Sequence, residues 1–266
     1  YAGGELSLRD NSAISAESFA SALGDAGNVR VVAPTGKLTL TGNARIATSA
    51  SGGGAAGSIT VDAATLEMGD ASGRAGITSA VTGAGTRSAG KVAVTVGGAI
   101  DLKNGAFITS DPLTASAQDA GGVTVSAGGG LNMSGAARIS AQTGSSSAGG
   151  NSPAGGAGRV NVTAAAVSMA AGSEISTTSV GARNAGDVLV VSRSTVAMAG
   201  GSTISSSASD AGAAGGIIVR GAGDVTLRGA AITSAVTSAN SAHAGSVSLE
   251  SGGDVTMSAG SLVAAS

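Results

Sequence analysis

Two pairs of acidic residues are spaced along this chain at close to thirty residues. Glu67 and Asp101 are 34 residues apart, and Asp224 and Asp254 are 30 residues apart. If the fold places the members of a pair side by side, two carboxylates about 5 Å apart would match a retaining glycosidase. A weak cation site is a second interpretation. We favour a third, two solvated surface acids, because no arginine, histidine or aromatic residue is expected in the row of Glu67 and Asp101.

Residues of opposite charge recur at a similar spacing. Arg138 and Glu174 are 36 residues apart, and Glu5 and Lys37 are 32 residues apart. We predict that each pair forms an ion pair between neighbouring repeats, worth no more than about 1 kcal/mol at a surface. The expected role of these four residues is structural.

Other signatures of catalysis or ligand binding are missing from the sequence. The chain has no cysteine, which excludes disulfides and thiolate metal sites. His243 is the single histidine and lies in a predicted loop, so a Ser/His/Asp triad is not expected. Glycine-rich stretches occur without the GxxxxGKS or GxxxxGKT pattern of a phosphate-binding loop. We therefore predict no catalytic residue, no cofactor and no metal site.

These residues are carried by a repeat of about 31 residues. A typical copy opens with AGKVAV at Ala89, continues with the short strand IDL at Ile100, and ends with ITS at Ile108. A partial copy covers residues 1–25. Eight full copies follow at steps of 28 to 37 residues, starting at Ala26, Ala56, Ala89, Ala120, Ala157, Ala185, Ala214 and Ala244.

Apolar and polar residues alternate within each short strand, which predicts one buried and one solvated face. A single copy cannot bury its own apolar face, whereas stacked copies can. We therefore predict an all-β fold, a right-handed parallel β-helix with three short strands per turn and eight to nine turns. Residues 1–266 are expected to form one domain, in which equivalent residues stack about 4.8 Å apart.

Glycine is expected at the sharp corners because it adopts positive φ at little cost. Between the first and second strands the predicted corner glycines are Gly36, Gly98, Gly129, Gly223 and Gly253. Between the second and third strands they are Gly42, Gly105, Gly135, Gly172 and Gly229.

Five methionines recur in the second strand and are predicted to fill the core rather than to bind a ligand: Met68, Met133, Met169, Met198 and Met257.

An outward row on the third strand consists mostly of hydroxyl residues. A regular row of this kind on a flat face is typical of ice-binding β-solenoids, although those usually carry strict Thr-x-Thr ranks. The row comprises Ala47, Thr78, Thr109, Ser140, Ser176, Ser205 and Thr233.

The combined pattern AGxVxV, LxM and GxxIxT or GxxIxS, as in GAARISAQ and AGSEISTTS, resembles the filamentous haemagglutinin-like exoproteins of Gram-negative bacteria. These are the large passengers of two-partner secretion, and the resemblance covers essentially the whole chain. It implies a β-helical shaft that an outer-membrane partner secretes unfolded and that folds outside the cell. The family's secretion domain carries an NPNG- or NPNL-type motif, which this sequence lacks. The resemblance therefore implies a stretch of shaft beyond that domain.

Composition narrows the classes of partner. The formal net charge is −2 and charged residues make up 11% of the chain, so electrostatic binding to nucleic acid is not expected. No apolar run approaches the roughly 20 residues needed to span a bilayer, so membrane insertion is not expected.

We expect a secreted or cell-surface filament segment that acts as a rigid spacer or matrix fibre in adhesion. Its expected partners are host-cell, bacterial or matrix surfaces. End-to-end stacking of copies is a further expectation, because the chain starts and stops within the pattern of a longer shaft. The alternatives are a polysaccharide-binding or polysaccharide-cleaving β-helix, and an ice- or surface-binding β-solenoid.

Overall fold

The structure is a computed structural model that describes residues 1–71, 73–83, 88–112, 119–143, 156–180, 183–209, 211–237 and 243–266. The described residues form β-strands, turns and bends, with no helix among them. Consequently no helix in this part of the chain has the length and apolarity needed to cross a membrane.

Twenty-four strands follow one another among the described residues. They are β1 (Leu6–Leu8), β2 (Ala13–Ser18), β3 (Val29–Leu40), β4 (Arg45–Ala50), β5 (Ile59–Met68), β6 (Gly76–Val81), β7 (Val92–Val96), β8 (Ile100–Leu102), β9 (Phe107–Ser110), β10 (Val123–Ala127), β11 (Leu131–Met133), β12 (Arg138–Thr143), β13 (Val160–Ala164), β14 (Val167–Met169), β15 (Glu174–Ser179), β16 (Val188–Ser192), β17 (Val196–Ala199), β18 (Thr203–Ala208), β19 (Ile217–Gly221), β20 (Val225–Arg228), β21 (Ala231–Val236), β22 (Val247–Ser251), β23 (Val255–Ser258) and β24 (Leu262–Ala265).

The strands stack in parallel, each on its equivalent in the next copy of the repeat. The third strands form one nine-stranded sheet, β2-β4-β6-β9-β12-β15-β18-β21-β24. The first and second strands form a 15-stranded sheet, because they run together without a break in β3 and β5. The predicted all-β parallel solenoid with about 31 residues per turn is therefore confirmed.

The structure contains about seven complete turns, fewer than the eight to nine predicted. Counting copies overstates the number, because a complete turn runs from a strand to its equivalent in the next copy. The eight first strands, from β3 to β22, are joined by seven such steps.

The core is a continuous apolar column inside the coil. Val31, Leu38 and Ile46, one from each strand position of the same copy, are at most 4% exposed. Four of the five predicted core methionines, Met68, Met133, Met169 and Met198, are buried. Met257 is 44% exposed because it lies in the last described turn, on which no further described turn packs.

The two sets of predicted corner glycines differ in their backbone conformation. All five between the second and third strands have positive φ, between 58° and 74°, as predicted. None of the five between the first and second strands does, so that prediction is wrong. At Gly36 and Gly253 glycine is needed for another reason, because a Cβ atom would overlap an oxygen atom of the turn before, which belongs to Gly4 or to Asp224.

Candidate functional site

Glu67 and Asp101 lie directly opposite each other on β5 and β8, as predicted. The Glu67 carboxylate accepts hydrogen bonds from Lys37 Nζ at 2.5 Å and from Lys103 Nζ at 3.1 Å. These bonds hold the pKa of Glu67 below its usual range, and the Glu67 partner raises the pKa of Lys37. A carboxyl group that donates a proton needs the opposite shift.

Asp101 has a partner of its own in the next turn. Asn132 Nδ2 donates to Asp101 Oδ1 at 2.8 Å. The two carboxylates thus bind different groups and link successive turns of the coil. Sequence reasoning missed both lysines because it compared only residues in one row, whereas Lys37 and Lys103 flank that row diagonally.

The second acidic pair, Asp224 and Asp254, is joined by a hydrogen bond between successive turns. Asp224 Oδ1 accepts the backbone N–H of Asp254 at 3.0 Å, so one member of the pair caps the other's amide. Among the described residues no group of three or more His, Asp or Glu side chains is placed to hold a metal ion.

The same side-chain cap recurs along the rod. Asp25, Asp119 and Asp187 each accept a backbone N–H from the next turn, at 2.8, 2.7 and 2.9 Å. Asn28 and Asn184 do the same at 2.7 and 3.0 Å. The short Asp and Asn side chains reach neighbouring backbone groups readily, which accounts for their positions at turns and corners. Together with Asp224, these three aspartates are four of the sixteen acidic residues, and each binds a backbone amide of the next turn.

Neither predicted ion pair forms, because Arg138 and Lys37 each bind a different carboxylate. Arg138 lies opposite Glu174 in the register of β12 and β15, yet its Nη2 atom is 3.4 Å from Asp111 Oδ2 in the preceding turn. Lys37 binds Glu67 in place of Glu5. Long side chains reach along the sheet as well as across it, so register alone does not choose the partner.

Asp111 is a buried carboxyl group whose pKa is strongly shifted. It is 6% exposed, and this burial raises its pKa to about 6. Arg138 and the backbone N–H of Gln142, 3.1 Å from Oδ1, oppose the rise by stabilising the carboxylate. No sequence signal indicated this site, since Asp111 follows β9 where other copies carry small or polar residues.

Arg138 and Gln142 cover part of the predicted hydroxyl row. Arg138 Nη1 donates to Gln142 Oε1 at 3.4 Å, and Gln142 Nε2 donates to Ser176 Oγ at 3.4 Å. Thr109, Ser140 and Ser176 are at most 2% exposed. The expectation of a flat, exposed hydroxyl row is therefore wrong at the centre of the rod.

A second set of hydroxyls lies inside the coil and was not predicted. Ser79 Oγ donates to the Gly57 carbonyl at 3.0 Å and accepts the Gly90 N–H at 2.7 Å. Ser206 and Ser234 make the same pair of bonds, to the Ala-Gly glycines of their copies. The buried hydroxyl thus joins the end of one turn to the start of the next. The recurrent Ser after Ile-Thr or Ile-Ser was the available signal.

A shallow groove of about 420 Å³ lies at a corner near the C-terminal end, lined by residues that include Val191, Arg220 and Glu250. Its charged groups are already paired, with Arg220 and Glu250 2.7 Å apart. Arg193 also lines it and donates to the Ala127 carbonyl, two turns back, at 3.0 Å. His243, the single histidine, is exposed on a connection.

The chain was compared with family models, with curated proteins and with solved structures, and none of them matches. The resemblance to filamentous haemagglutinin-like exoproteins therefore stays a prediction from the repeat pattern, while the parallel β-solenoid itself is observed.

Proposed function

We propose that this chain is a segment of the shaft of a large secreted, adhesin-like exoprotein. In this role it is a rigid spacer or matrix fibre at the surface of a Gram-negative bacterium, exported through an outer-membrane partner. The β-solenoid fold is compatible with such a shaft.

The observation that carries this proposal is the unbroken parallel stacking of every strand position. Nine third strands follow one another in a single sheet, and the equivalent strands of the other faces do the same. Their backbone hydrogen bonds point from turn to turn, along the axis of the coil. Bending the rod or pulling its ends apart would therefore strain many bonds together, which suits a part that holds a binding domain away from a cell.

The use of charged side chains also supports a structural role. Glu67, Asp101 and Asp224, the candidates for chemistry, each bind a group of an adjoining turn. Asp111, whose raised pKa is of the kind that general acids have, lies beneath Arg138 and is 6% exposed. A polysaccharide-cleaving function would need Asp111 to be accessible to a substrate, and would need Glu67 and Asp101 to be free of the groups that they bind.

Electron microscopy of the parent protein on its native cells tests the proposal. Thin rods that project from the cell surface, with antibody to this segment bound along them, are the expected result. A compact particle released from the cells would overturn the proposal. Assays of that particle against a panel of polysaccharides, with Glu67→Gln and Asp111→Asn variants, would then test the enzymatic alternative.

A further inference from the structure

Arg138 lies between two carboxylates, one in each adjoining turn. Asp111 in the preceding turn is its partner in the structure, with Nη2 and Oδ2 3.4 Å apart. Glu174 in the following turn lies directly opposite it in the register of the sheet. One guanidinium therefore has two alternative acidic partners on the same lateral face of the rod.

The present position of Arg138 leaves polar atoms unpaired. Its Nε atom is buried without a hydrogen-bond partner among the described residues, and so is Ser140 Oγ. Arg138, Ser140 and Gln142 alternate on one face of β12, and Arg138 bonds to Gln142. The arginine side chain passes over Ser140 to make that bond, and this serine is completely buried.

We propose that Arg138 is a two-position strap, which exchanges Asp111 for Glu174 when Asp111 gains a proton and thereby uncovers the hydroxyl of Ser140. The exchange needs only a side-chain movement, because Asp111, Arg138 and Glu174 occupy three successive turns. The proposal concerns one lateral surface of the rod and does not depend on the function proposed above.

Two features weaken the observed position of Arg138. Buried groups without partners are costly, so the unpaired Nε of Arg138 weakens the closed position. Burial of Asp111 favours its neutral form, and its pKa of about 6 brings the proton within reach of mildly acidic conditions. A neutral Asp111 still accepts the Gln142 N–H through its carbonyl oxygen but attracts the guanidinium far less.

Two charged groups act on the pKa of Asp111, both of them part of the proposed exchange. The charged groups that act on Asp111 are Arg138 and Glu174, and Thr109 contributes a neutral hydrogen bond. Farther along the row, Arg45 stacks on the ring of Phe107, 4.7 Å from its centroid. The neighbouring strand β6 carries no titratable residue.

Cysteine labelling tests the exposure of position 140, since the chain has no cysteine of its own. The labelling rate of Ser140→Cys is divided at each pH by that of Ser168→Cys, an exposed position on β14. We expect this ratio to rise about tenfold from pH 7 to pH 5, as Asp111 goes from about one-tenth to about nine-tenths protonated. A ratio that stays constant over this range overturns the proposal.

Nuclear magnetic resonance of the Arg138 Nε–H group keeps the test independent of the cysteine substitution. We expect its signal to change with a midpoint near pH 6, and Asp111→Asn to show the acidic signal at every pH. In Glu174→Gln the acidic form loses its new partner, so the acidic signal should differ from that of the wild type. If the signal does not titrate, or if Asp111→Asn matches the wild type at pH 8, the strap does not exist.

Discussion

A Cβ atom added to Gly90 would overlap the carbonyl oxygen of Gly57, the equivalent glycine one turn earlier. The same overlap recurs for the Ala-Gly glycines at 121, 158, 186, 215 and 245, each against the glycine of the preceding copy. These glycines are not in the left-handed region of φ. They are needed because the backbones of two successive turns lie too close together for a Cβ atom. They let successive turns approach at one edge of the coil, and this accounts for the glycine at the start of each full copy after the first.

Gly90→Ala is therefore expected to destabilise the rod by about 3 kcal/mol or more, because the backbone of one turn must move away from the next. The matched control is Gly97→Ala, where the added Cβ would have its nearest neighbour, Ala64 O, at 3.9 Å. That variant should be neutral or slightly stabilised. Urea midpoints of both variants against the wild type measure the difference, and equal midpoints would refute the close-packing explanation.

Ser79→Ala is expected to cost about 1–3 kcal/mol, since it leaves the part-buried Gly90 N–H without this acceptor. Removing the exposed hydroxyl of Ser168 by the change to Ala should have an effect within about 0.5 kcal/mol. Hydrogen exchange at the Gly90 amide gives a local measurement, and it should accelerate in Ser79→Ala alone. Unchanged exchange there would mean that the hydroxyl is not a significant partner.

The copy that starts at Ala120 has an alanine at the equivalent position. Ala141 lies opposite Ser110 and Thr177 in the sheet, and both of these hydroxyls donate to glycine carbonyls. Ala141→Ser should therefore gain a hydrogen bond of about 1 kcal/mol and raise the urea midpoint. A lower midpoint would show that the local backbone at this copy differs from its neighbours.

The architecture could be predicted from the sequence because alternation and the thirty-residue period both depend on the burial of side chains such as Val31 and Leu38. Register followed from the same pattern, and Glu67 does lie opposite Asp101. The choice of partner could not be predicted, since Arg138 can reach either of two turns. The inward direction of Ser79 was missed because the strand pattern assigned buried positions to apolar residues.

Glu67→Gln tests the surface ion pairs. The loss of the bonds to Lys37 and Lys103 is expected to cost at most about 1 kcal/mol, because both lysine side chains are 45% exposed and water screens the charges. The cost should shrink in 1 M salt, where the screening length falls to about 3 Å. Glu17→Gln, at an exposed carboxylate on β2, is the control and should change stability little. A loss that is large and independent of salt would contradict a surface role.

The last prediction concerns the stability of the rod between pH 4 and pH 6. Asp111 has a folded-state pKa raised from 3.8 to about 6, so the folded chain binds this proton more tightly than the unfolded chain does. The contribution of Asp111 to the free energy of unfolding therefore falls as pH rises from about 4 to about 6 and is constant above that. A rise of this size in the pKa corresponds to a loss of about 3 kcal/mol over that range.

Asp111→Asn should remove this slope and stabilise the rod at pH 7.5, whereas at pH 4 it should match the wild type closely. Asp119→Asn is the control, because Asp119 also accepts an amide from the next turn but is exposed to solvent. In the Asp119→Asn variant, the free energy of unfolding should still depend on pH in the way that Asp111 produces. Glu67, whose pKa is lowered, adds stability that is lost on acidification, so the comparison uses the difference between each variant and the wild type at every pH. If the difference for Asp111→Asn does not vary between pH 4 and pH 7, Asp111 does not bury its charge, and neither the slope nor the strap of Arg138 has the basis assigned to it.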